Sequence, residues 1–332
     1  MPEIRIITQA EVRALLPMAE CIDLMADALA TLARGDAVQP LRTKMPLPDG
    51  SGLLGLMPGY LGAPRALGIK IISYMPGNHG TRYDSHQGAV MIFEVEHGSP
   101  LAIIEASSIT AIRTAAVSGA ATRCLAREDA GDLAILGSGV QAASHLEAMR
   151  AVRALRRVRV WSRSIDNARR FAEREAARAG LAIEAAGTAR EAVEGADIIC
   201  TTTAARDPVL EGAWIAPGAH VNAAGASLPA ARELDSAAVA RARLIVDRRE
   251  SARNESGDVL VPLREGVIGD AHIAAELGDV LIGRARGRRS ADEITLFKSL
   301  GLAIEDIAAA HHIWRKAVAS GAGTVVDWGG ER

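Results

Sequence analysis

The sequence predicts an α/β fold, with a Rossmann doubly wound parallel sheet and a second, α+β domain. Strand-like and helical segments alternate from residue 132 to about residue 300, which is typical of a parallel sheet covered by helices. A glycine-rich turn at 137–142 opens this alternation, as it does in dinucleotide-binding units. Residues 40–105 instead show strands separated by turn residues, which indicates an antiparallel sheet.

The other elements follow from periodicity and from residues that start or stop helices. Residues 8–35 predict a helix, with Thr8 and Glu11 at capping-box spacing, a break at Pro17 and an end at Gly35. Further along the chain we predict strands at 66–73, 89–95, 133–136, 157–161, 196–201, 220–224 and 242–246, helices at 109–126 and 292–310, and a surface tail at 321–332.

The glycine-rich turn indicates a nucleotide site. An apolar run leads into Gly137-x-Gly139-x-x-Ala142, and a helical pattern follows. The first glycine permits a tight turn, the second lets the backbone approach a pyrophosphate, and the small third residue lets the helix pack on its strand. The free N–H groups at the start of that helix attract phosphate. We therefore predict dinucleotide binding in preference to a merely structural turn.

The end of the second strand of this unit indicates which nicotinamide cofactor binds. An NAD site usually has an acidic residue there, whereas an NADP site has a cation near the 2′-phosphate. Here the segment 161–164 reads Trp-Ser-Arg-Ser, and the first carboxylate is Asp166. Ser162 can bond a phosphate and Arg163 can pair with it, unless Arg163 is a solvated loop cation. We predict NADP(H), with NAD(H) as the alternative. The cofactor contacts predicted in this unit are Gly137, Ser138, Gly139, Val140, Gln141, Ser162, Arg163 and, after the strand at 196–201, Thr202.

Composition excludes several classes of protein. An apolar fraction of 49% with 23% charged residues excludes a disordered chain, and a net charge of −2 gives no support for nucleic-acid or anionic-membrane binding. The three cysteines are too scattered for a disulfide framework, and adjacent His311 and His312 cannot chelate one metal ion from a helix. No segment has the length of a signal peptide or a membrane span. We expect a cytoplasmic protein without metal, nucleic-acid or membrane partners.

Four motifs carry a family resemblance. They are ITAIRTAAVSG at 109–119, GSGVQA at 137–142, VNAAG at 221–225 and FKSLG at 297–301. In this order the chain resembles the ornithine cyclodeaminase/mu-crystallin family. The resemblance implies a homodimer in which residues 1–118 and 308–332 form a substrate-binding and dimerisation domain, and residues 119–307 form the NAD(P)-binding Rossmann domain.

The resemblance also implies a substrate site. Cations matching Arg42, Lys70 and Arg113 meet the carboxylate of a small 2-imino or 2-amino acid in the family. Taken alone, Lys70 interrupts an apolar strand, so its charge must be paired or face a cleft, and its alternative is a side chain that points to solvent. Arg113 lies among small residues and has an intramolecular ion pair as its alternative. The family-based candidates for cofactor contacts are Arg113, Thr114, Ser299 and Gly301.

One departure from the family distinguishes its branches. The cyclodeaminases carry an aspartate shortly after the Asn-Ala-x-Gly turn, where it acts on the substrate amine, but this chain has Ser227 at the matching position. Glu233 and Asp235 lie where a helix should begin, and we interpret them as helix N-terminal charges. The chain is therefore more similar to the ketimine reductase (mu-crystallin-like) branch.

The reaction that this resemblance implies is hydride transfer from NAD(P)H to the C=N bond of a small 2-imino acid. The leading substrates are cyclic ketimines, 1-pyrroline-2-carboxylate and 1-piperideine-2-carboxylate, which give L-amino acids. Lys70, Arg113 and Ser227 are the candidate catalytic residues. His86 and Asp258 are interpreted as a structural loop histidine and a turn cap. Three alternatives stay open: an alanine-dehydrogenase-like oxidoreductase, an ornithine cyclodeaminase and a non-catalytic NADP(H)- or metabolite-binding protein.

Overall fold

The computed structural model describes residues 3–78 and 80–329, and the chain divides into two compact units. The first unit contains residues Met1–Arg113 and Gly301–Arg332, and the second contains Thr114–Leu300. The first unit is therefore built from both ends of the chain. The two points at which the chain passes between the units lie a few residues before the predicted domain boundaries at 118/119 and 307/308. The roles assigned to the two domains stay predictions.

A mixed sheet forms the centre of the first unit. Its strand order is β16-β1-β7-β6-β5-β4-β2, with β3 paired to β4, and every pair is antiparallel except β1 with β7. The antiparallel sheet predicted within 40–105 is therefore confirmed, but strands at both chain ends extend it. The strands are β1 Glu3–Ile7, β2 Ala37–Val38, β3 Thr43–Pro46, β4 Leu53–Gly62, β5 Arg65–Tyr74, β6 His86–Phe93, β7 Pro100–Glu105 and β16 Thr324–Asp327.

In this unit, the helical segment predicted at residues 8–35 begins, breaks and ends at the predicted residues. Thr8 and Glu11 form the capping box of α1, Pro17 is the N-cap of α2, and Gly35 ends α2 at a left-handed φ of 86°. The helices are α1 Gln9–Leu15, α2 Met18–Arg34, the first part of α3 Ala106–Leu125, and α11 Ala303–Ser320.

Two glycines let α11 lie directly on the sheet. Gly59 of β4 and Gly68 of β5 are paired, and a Cβ atom at either position would lie 3.0 or 3.3 Å from side-chain carbons of Ile307. One pair further along the same face, Lys70 lies opposite Met57. Because residues two apart on a strand share a face, the lysine side chain enters the layer that α11 covers.

A fully parallel sheet forms the second unit. Its strand order is β10-β9-β8-β11-β12-β15-β13-β14, and the order reverses at β8, which lies between β9 and β11. Nucleotides bind at such a reversal, beyond the carboxyl ends of the strands. The strands are β8 Asp132–Leu136, β9 Arg157–Trp161, β10 Glu184–Ala185, β11 Ile198–Thr201, β12 His220–Ala223, β13 Arg243–Val246, β14 Ile273–Glu276 and β15 Thr295–Lys298. The helices are the rest of α3, α4 Val140–Val152, α5 Ile165–Ala179, α6 Ala189–Val193, α7 Ser236–Arg241, α8 Arg249–Glu255, α9 Gly257–Arg264 and α10 Leu277–Leu281.

One prediction near the C-terminus was wrong. The segment 292–310, predicted as helix, contains β15, whose four residues are buried in the middle of the sheet, and α11 begins only at Ala303. A short apolar run does not reveal its type by periodicity, because a buried strand and a buried helix segment look alike. The tail predicted to lie on the surface is exposed or half-buried throughout residues 321–329, which confirms that prediction, although it also contains β16, which pairs with β1. Its last residues, 330–332, lie outside the described residues.

Within residues 3–78 and 80–329, no helix combines the length and the apolarity needed to cross a lipid bilayer. The same part of the chain holds no group of three or more side chains arranged to bind a metal ion.

Candidate active site

The glycine-rich turn is tight at Gly137 and open at Gly139. Gly137 has a φ of 124°, its N–H donates to the carbonyl of Trp161 at 2.8 Å, and a Cβ atom there would lie 2.7 Å from Oγ1 of Thr202. Gly139 is the N-cap residue of α4, has no side-chain cap, and a Cβ atom there would meet no atom within 4 Å. Free N–H groups and bare backbone together fit a pyrophosphate.

The neighbouring cofactor candidates lie around this turn. Oγ of Ser138 donates to Oγ of Ser162 at 3.0 Å, which joins the turn to the end of β9. Val140 is 62% exposed at the start of α4, and Gln141 is half-buried. Thr202 donates from both its N–H and its Oγ1 to the carbonyl of Leu136, and so holds the chain after β11 beneath the turn.

The end of β9 carries no carboxylate. Arg163 is exposed directly after Ser162, and Asp166 lies in the first turn of α5, where it is 3.8 Å from Arg169. A ribose 2′-hydroxyl would therefore find no acidic acceptor at this strand end, whereas a 2′-phosphate would find a hydroxyl and a guanidinium.

Ser299 is the remaining cofactor candidate of the second unit. It follows β15, its N–H donates to the carbonyl of Ala223 at 3.0 Å, and the residue is 2% exposed. Among the described residues, its Oγ is a buried polar atom without a hydrogen-bond partner. Such an atom costs free energy unless a ligand or water satisfies it.

In the first unit, five charged residues meet where α11 begins, and we call them the ionic cluster. Nζ of Lys70 lies 2.6 Å from Oδ2 of Asp306. Nε of Arg113 donates to Oδ1 of Asp306 at 2.9 Å, and its Nη1 lies 3.0 Å from Oε2 of Glu305. Arg42 donates from Nη2 to the carbonyl of Gly301, the second residue before α11, at 2.9 Å. The structure thus brings the three predicted cations together.

The guanidinium of Arg113 lies directly against the backbone of Gly301. It has a φ of 80°, and a Cβ atom there would lie 2.8 Å from Nη2 of Arg113. The guanidinium therefore packs against bare backbone at the positive end of α11. Thr114, which follows Arg113 in α3, is 8% exposed.

Burial and charge together set the ionisation of the cluster. Burial lowers the pKa of Lys70 to about 8, with the charges of Arg113 and Arg42 adding to this and Asp306 opposing it. Burial alone would raise the pKa of Asp306, but Arg113 and Lys70 outweigh it and hold that pKa below its usual value. Lys70 is 2% exposed, so its solvent-facing alternative is wrong, and the ion-pair alternative for Arg113 is confirmed.

Sequence reasoning missed Glu305 and Asp306, which are both fully buried. A signal was present, because adjacent acidic residues stand inside the otherwise apolar run from Ala303 to Ala310. Acidic residues are almost never fully buried unless they are paired. The partners come from β5 and α3, far away in sequence, and no local pattern names them.

A second buried carboxylate orders the loop that follows β12. Glu233 is fully buried and accepts hydrogen bonds from Oγ1 of Thr201 at 2.8 Å, from both N–H and Oγ1 of Thr203 at 2.6 and 2.7 Å, and from the N–H of Gly225 at 2.7 Å. Its interpretation as a helix N-terminal charge was therefore wrong. Asp235 does have that role, since it caps α7 through the N–H of Ala238.

Asp258 completes this loop support. It lies in the first turn of α9, accepts from the N–H groups of Glu233 and Leu234 at 2.8 and 3.0 Å, and pairs with Nζ of Lys298 at 2.9 Å. Lys298 in turn donates to the carbonyl of Ala226 at 2.6 Å. Asp258 is thus a buried ion-pair partner as well as a turn-organising residue. Ser227, next to Ala226, is half-buried.

His86 lies at the exposed start of β6. Its Nδ1 is 3.0 Å from Oγ of Ser85, and its ring centroid is 4.6 Å from that of Tyr74. These local contacts agree with its interpretation as a structural histidine.

The sequence model of the ornithine cyclodeaminase/mu-crystallin family matches residues 3–321. The chain belongs to the ornithine cyclodeaminase/mu-crystallin family. Within this family it is 42% identical to the ketimine reductase mu-crystallin of Mus musculus over 290 residues, which cover 86% of this chain and 88% of the mouse protein.

Solved structures of two proteins are similar over nearly the whole chain. The Δ1-pyrroline-2-carboxylate reductase of Thermococcus litoralis, in complex with NADH and L-proline, has a TM-score of 0.94 and 40% identity, and the match covers 96% of this chain and 99% of that one. An archaeal alanine dehydrogenase dimer with bound NAD has a TM-score of 0.93 and 32% identity, and covers 98% of this chain and all of its own, 100%. The predicted family and fold class are thus confirmed.

Proposed function

We propose that this chain is an NAD(P)H-dependent oxidoreductase that reduces the C=N bond of small cyclic 2-imino acids to give L-amino acids. The observation that carries the proposal is the ionic cluster, in which three cations converge on the positive end of α11. The names of the relatives agree, since two of them are reductases of ketimines or of pyrroline-2-carboxylate.

The charge balance of the cluster suits a substrate with one carboxylate. Arg42, Lys70 and Arg113 carry three positive charges, while Glu305 and Asp306 carry two negative charges, so one positive charge remains. A monocarboxylate would neutralise it. Arg42 and Arg113 have the planar, multidentate donors that bind carboxylates with fixed orientation.

Reduction of an imine adds a hydride to carbon and a proton to nitrogen. Bound NAD(P)H supplies the hydride. Lys70 supplies the proton from its ammonium group, which a folded-state pKa of about 8 keeps charged at neutral pH while making proton release easier than from an exposed lysine. Lys70 then regains a proton from solvent, so charge balances over the cycle. Ser227 bonds the substrate nitrogen or a water molecule beside it.

The cofactor preference that we propose is NADP(H). It is supported by Ser162 and Arg163 at the end of β9 and by the position of Asp166 within α5. The bare backbone at Gly139 would receive the pyrophosphate, and the buried Oγ of Ser299 would hydrogen-bond the nicotinamide carboxamide. NAD(H), which is bound in the two similar structures, is the alternative.

Cyclodeamination needs a carboxylate at the substrate amine, and the two buried carboxylates that order the loop around Ser227 are already bound to other partners in the described residues. Glu233 is held by four hydrogen bonds, and Asp258 is paired with Lys298. An alanine-dehydrogenase-like reaction uses the same cations with an open-chain imine, and the 32% identity to the archaeal enzyme makes it the second candidate.

The assembly that we propose is a homodimer, in keeping with that archaeal dimer. The location that we propose is the cytoplasm, in keeping with the three free cysteines Cys21, Cys124 and Cys200.

The test is the oxidation of NADPH and of NADH with 1-pyrroline-2-carboxylate, 1-piperideine-2-carboxylate, or pyruvate with ammonium, and, separately, the formation of proline and ammonia from ornithine in the presence of NAD(P)+. Turnover of the cyclic imines that is lost in Arg113→Ala supports the proposal. Turnover only with pyruvate and ammonium favours the alanine-dehydrogenase-like reaction. Cofactor binding without turnover of any substrate overturns both, and favours a binding protein.

A further inference from the structure

The two buried carboxylates of α11 differ in what they hold. Asp306 bridges two cations, with Oδ2 at 2.6 Å from Nζ of Lys70 and Oδ1 at 2.9 Å from Nε of Arg113. Glu305 contacts Arg113 at 3.0 Å and forms no bond with Lys70. Both carboxylates are fully buried on adjacent positions of one helix. They form a natural pair for comparison, because they share burial, charge and contact with Arg113, but only Asp306 contacts Lys70.

Lys70 is surrounded by apolar side chains on the neighbouring strands, and its anionic contact is Asp306. The cross-strand neighbours of Lys70 are Met57 on β4 and Val90 on β6, both apolar and buried. In residues 3–78 and 80–329, Asp306 is the one carboxylate within ion-pair distance of Nζ. The ammonium group has therefore exchanged water for a single carboxylate in an apolar layer.

The other charges around Lys70 oppose its protonation. Arg113 of α3 and Arg42 of the segment before β3 both act on it with a like charge. From α2, Cys21 faces Arg113 and Glu305 but carries no charge at neutral pH, because burial strongly raises the pKa of its thiol. Burial and two guanidinium groups thus destabilise the charged form of Lys70, and Asp306 stabilises it.

We propose, on the basis of the proposed reductase function, that Asp306 is a positioning residue that keeps Lys70 charged and aimed at the substrate nitrogen, whereas Glu305 orients Arg113. Asp306 thereby sets the upper pH limit of turnover. Glu305 affects the binding of the substrate carboxylate and leaves that limit unchanged. Neither carboxylate touches the reacting atoms.

The composition of the chain offers a readout that does not depend on catalysis. The sequence contains four lysines, Lys44, Lys70, Lys298 and Lys316. Protein labelled with ¹³C at lysine Cε therefore gives four signals, and the signal missing in Lys70→Arg belongs to Lys70. Its pH titration measures the charge of Lys70 directly, whether or not an imine is turned over.

The experiment compares wild type, Asp306→Asn and Glu305→Gln by this titration and by the pH profile of kcat/KM for the cyclic imine. In Asp306→Asn we expect the Lys70 midpoint and the alkaline limb to move down together by about one pH unit or more, the size expected for removal of an adjacent opposite charge. At pH 8, kcat/KM then falls about fivefold or more beyond any change at pH 6. In Glu305→Gln we expect a higher KM and an unmoved Lys70 midpoint.

Asp306→Glu keeps the negative charge and serves as a second variant in case Asp306→Asn does not fold. We expect its Lys70 midpoint to stay within about half a pH unit of wild type, since the opposite charge remains adjacent. The proposal is overturned if Asp306→Asn leaves the midpoint in place, if Glu305→Gln moves it equally, or if Asp306→Glu lowers it as a neutral residue would. Absence of turnover in wild type would refute the reductase function, while the NMR titration would still decide the role of Asp306.

Discussion

Thr202 lies directly against Gly137, at the reversal point of the parallel sheet. The side-chain Oγ1 of Thr202 and its carbonyl oxygen would lie 2.7 and 2.8 Å from a Cβ atom at position 137. Gly137 also has a φ of 124°, which L-amino acids rarely adopt. The first glycine of the turn is therefore required by the protein itself, whereas Gly139 has open space in front of it.

We predict that the two glycines respond differently to alanine. Gly137→Ala should lower the free energy of unfolding by about 2 kcal/mol or more, because it combines backbone strain with a contact against backbone. Gly139→Ala should leave stability within about 0.5 kcal/mol, as at an unstrained exposed site, yet weaken NADPH binding by about tenfold, since the added methyl group occupies the phosphate approach. Chemical denaturation and fluorescence titration with NADPH measure the two effects. Equal losses of stability in both variants would contradict this assignment.

The end of β9 should control the choice between the two cofactors. Arg163→Ala should raise the KM for NADPH by about tenfold, the effect of one lost charge-assisted contact, and leave the KM for NADH nearly unchanged. Ser162→Asp should favour NADH, because a carboxylate accepts from the ribose 2′-hydroxyl and repels a 2′-phosphate. Steady-state kinetics with both cofactors measure the ratio.

Arg169→Ala is the matched control for this pair of variants. Arg169 is an exposed arginine of α5 that lies near Asp166 and not at the strand end. Its removal should leave the ratio of the two KM values unchanged. If Arg163→Ala and Arg169→Ala shift that ratio alike, long-range charge and not a 2′-phosphate contact explains the preference.

Glu233 should stabilise the loop that precedes Ser227, although it lies outside that loop in sequence. Burial raises the pKa of Glu233, although Lys298 and the Thr203 hydrogen bonds oppose this shift. In Glu233→Gln, the NH₂ group must face N–H or O–H donors, so we expect a loss of about 2–4 kcal/mol of stability and a lower kcat. Thermal and chemical denaturation measure the first, and kinetics the second. Asp235→Asn, which changes the cap of α7 and the acceptor for the N–H of Gly212, should cost about 1 kcal/mol and preserve kcat.

Two buried histidines should make the protein sensitive to acid. Burial lowers the pKa of His145 to about 4 and that of His220 to about 3. The folded state therefore binds fewer protons than the unfolded state at acidic pH. Stability is complete above the unfolded pKa of about 6.5 and falls as the pH drops towards these values, at up to about 1.4 kcal/mol per pH unit for each histidine.

Denaturation at pH 7 and pH 5 tests this dependence. His145→Gln removes one titrating group while it keeps an amide near Oγ of Ser118, which lies 3.0 Å from Nε2 of His145. We expect its loss of stability between the two pH values to be smaller than in wild type. His97→Gln is the control, because the side chain of His97 is 76% exposed. An unchanged pH dependence in His145→Gln would refute the assignment.

The sequence by itself determined the elements whose cause is local. The capping box of Thr8 and Glu11, the break at Pro17 and the positive φ at Gly35 each depend on a few adjacent residues. The same holds for the glycine-rich turn between β8 and α4, and for the absence of a carboxylate at the end of β9. These features require no distant partner, so their residue types are sufficient evidence.

Tertiary structure alone decided the type of β15 and the partners of the buried charges. The run Thr295–Lys298 is a strand because β12 and β13 supply hydrogen bonds on both of its sides, which its own four residues do not reveal. Lys70 and Asp306 are separated by more than two hundred residues in sequence, and Glu233 is tied to Thr201 and Gly225 across two loops. Periodicity shows that a residue is buried, but the identity of its partner follows only from the packing of segments distant in sequence.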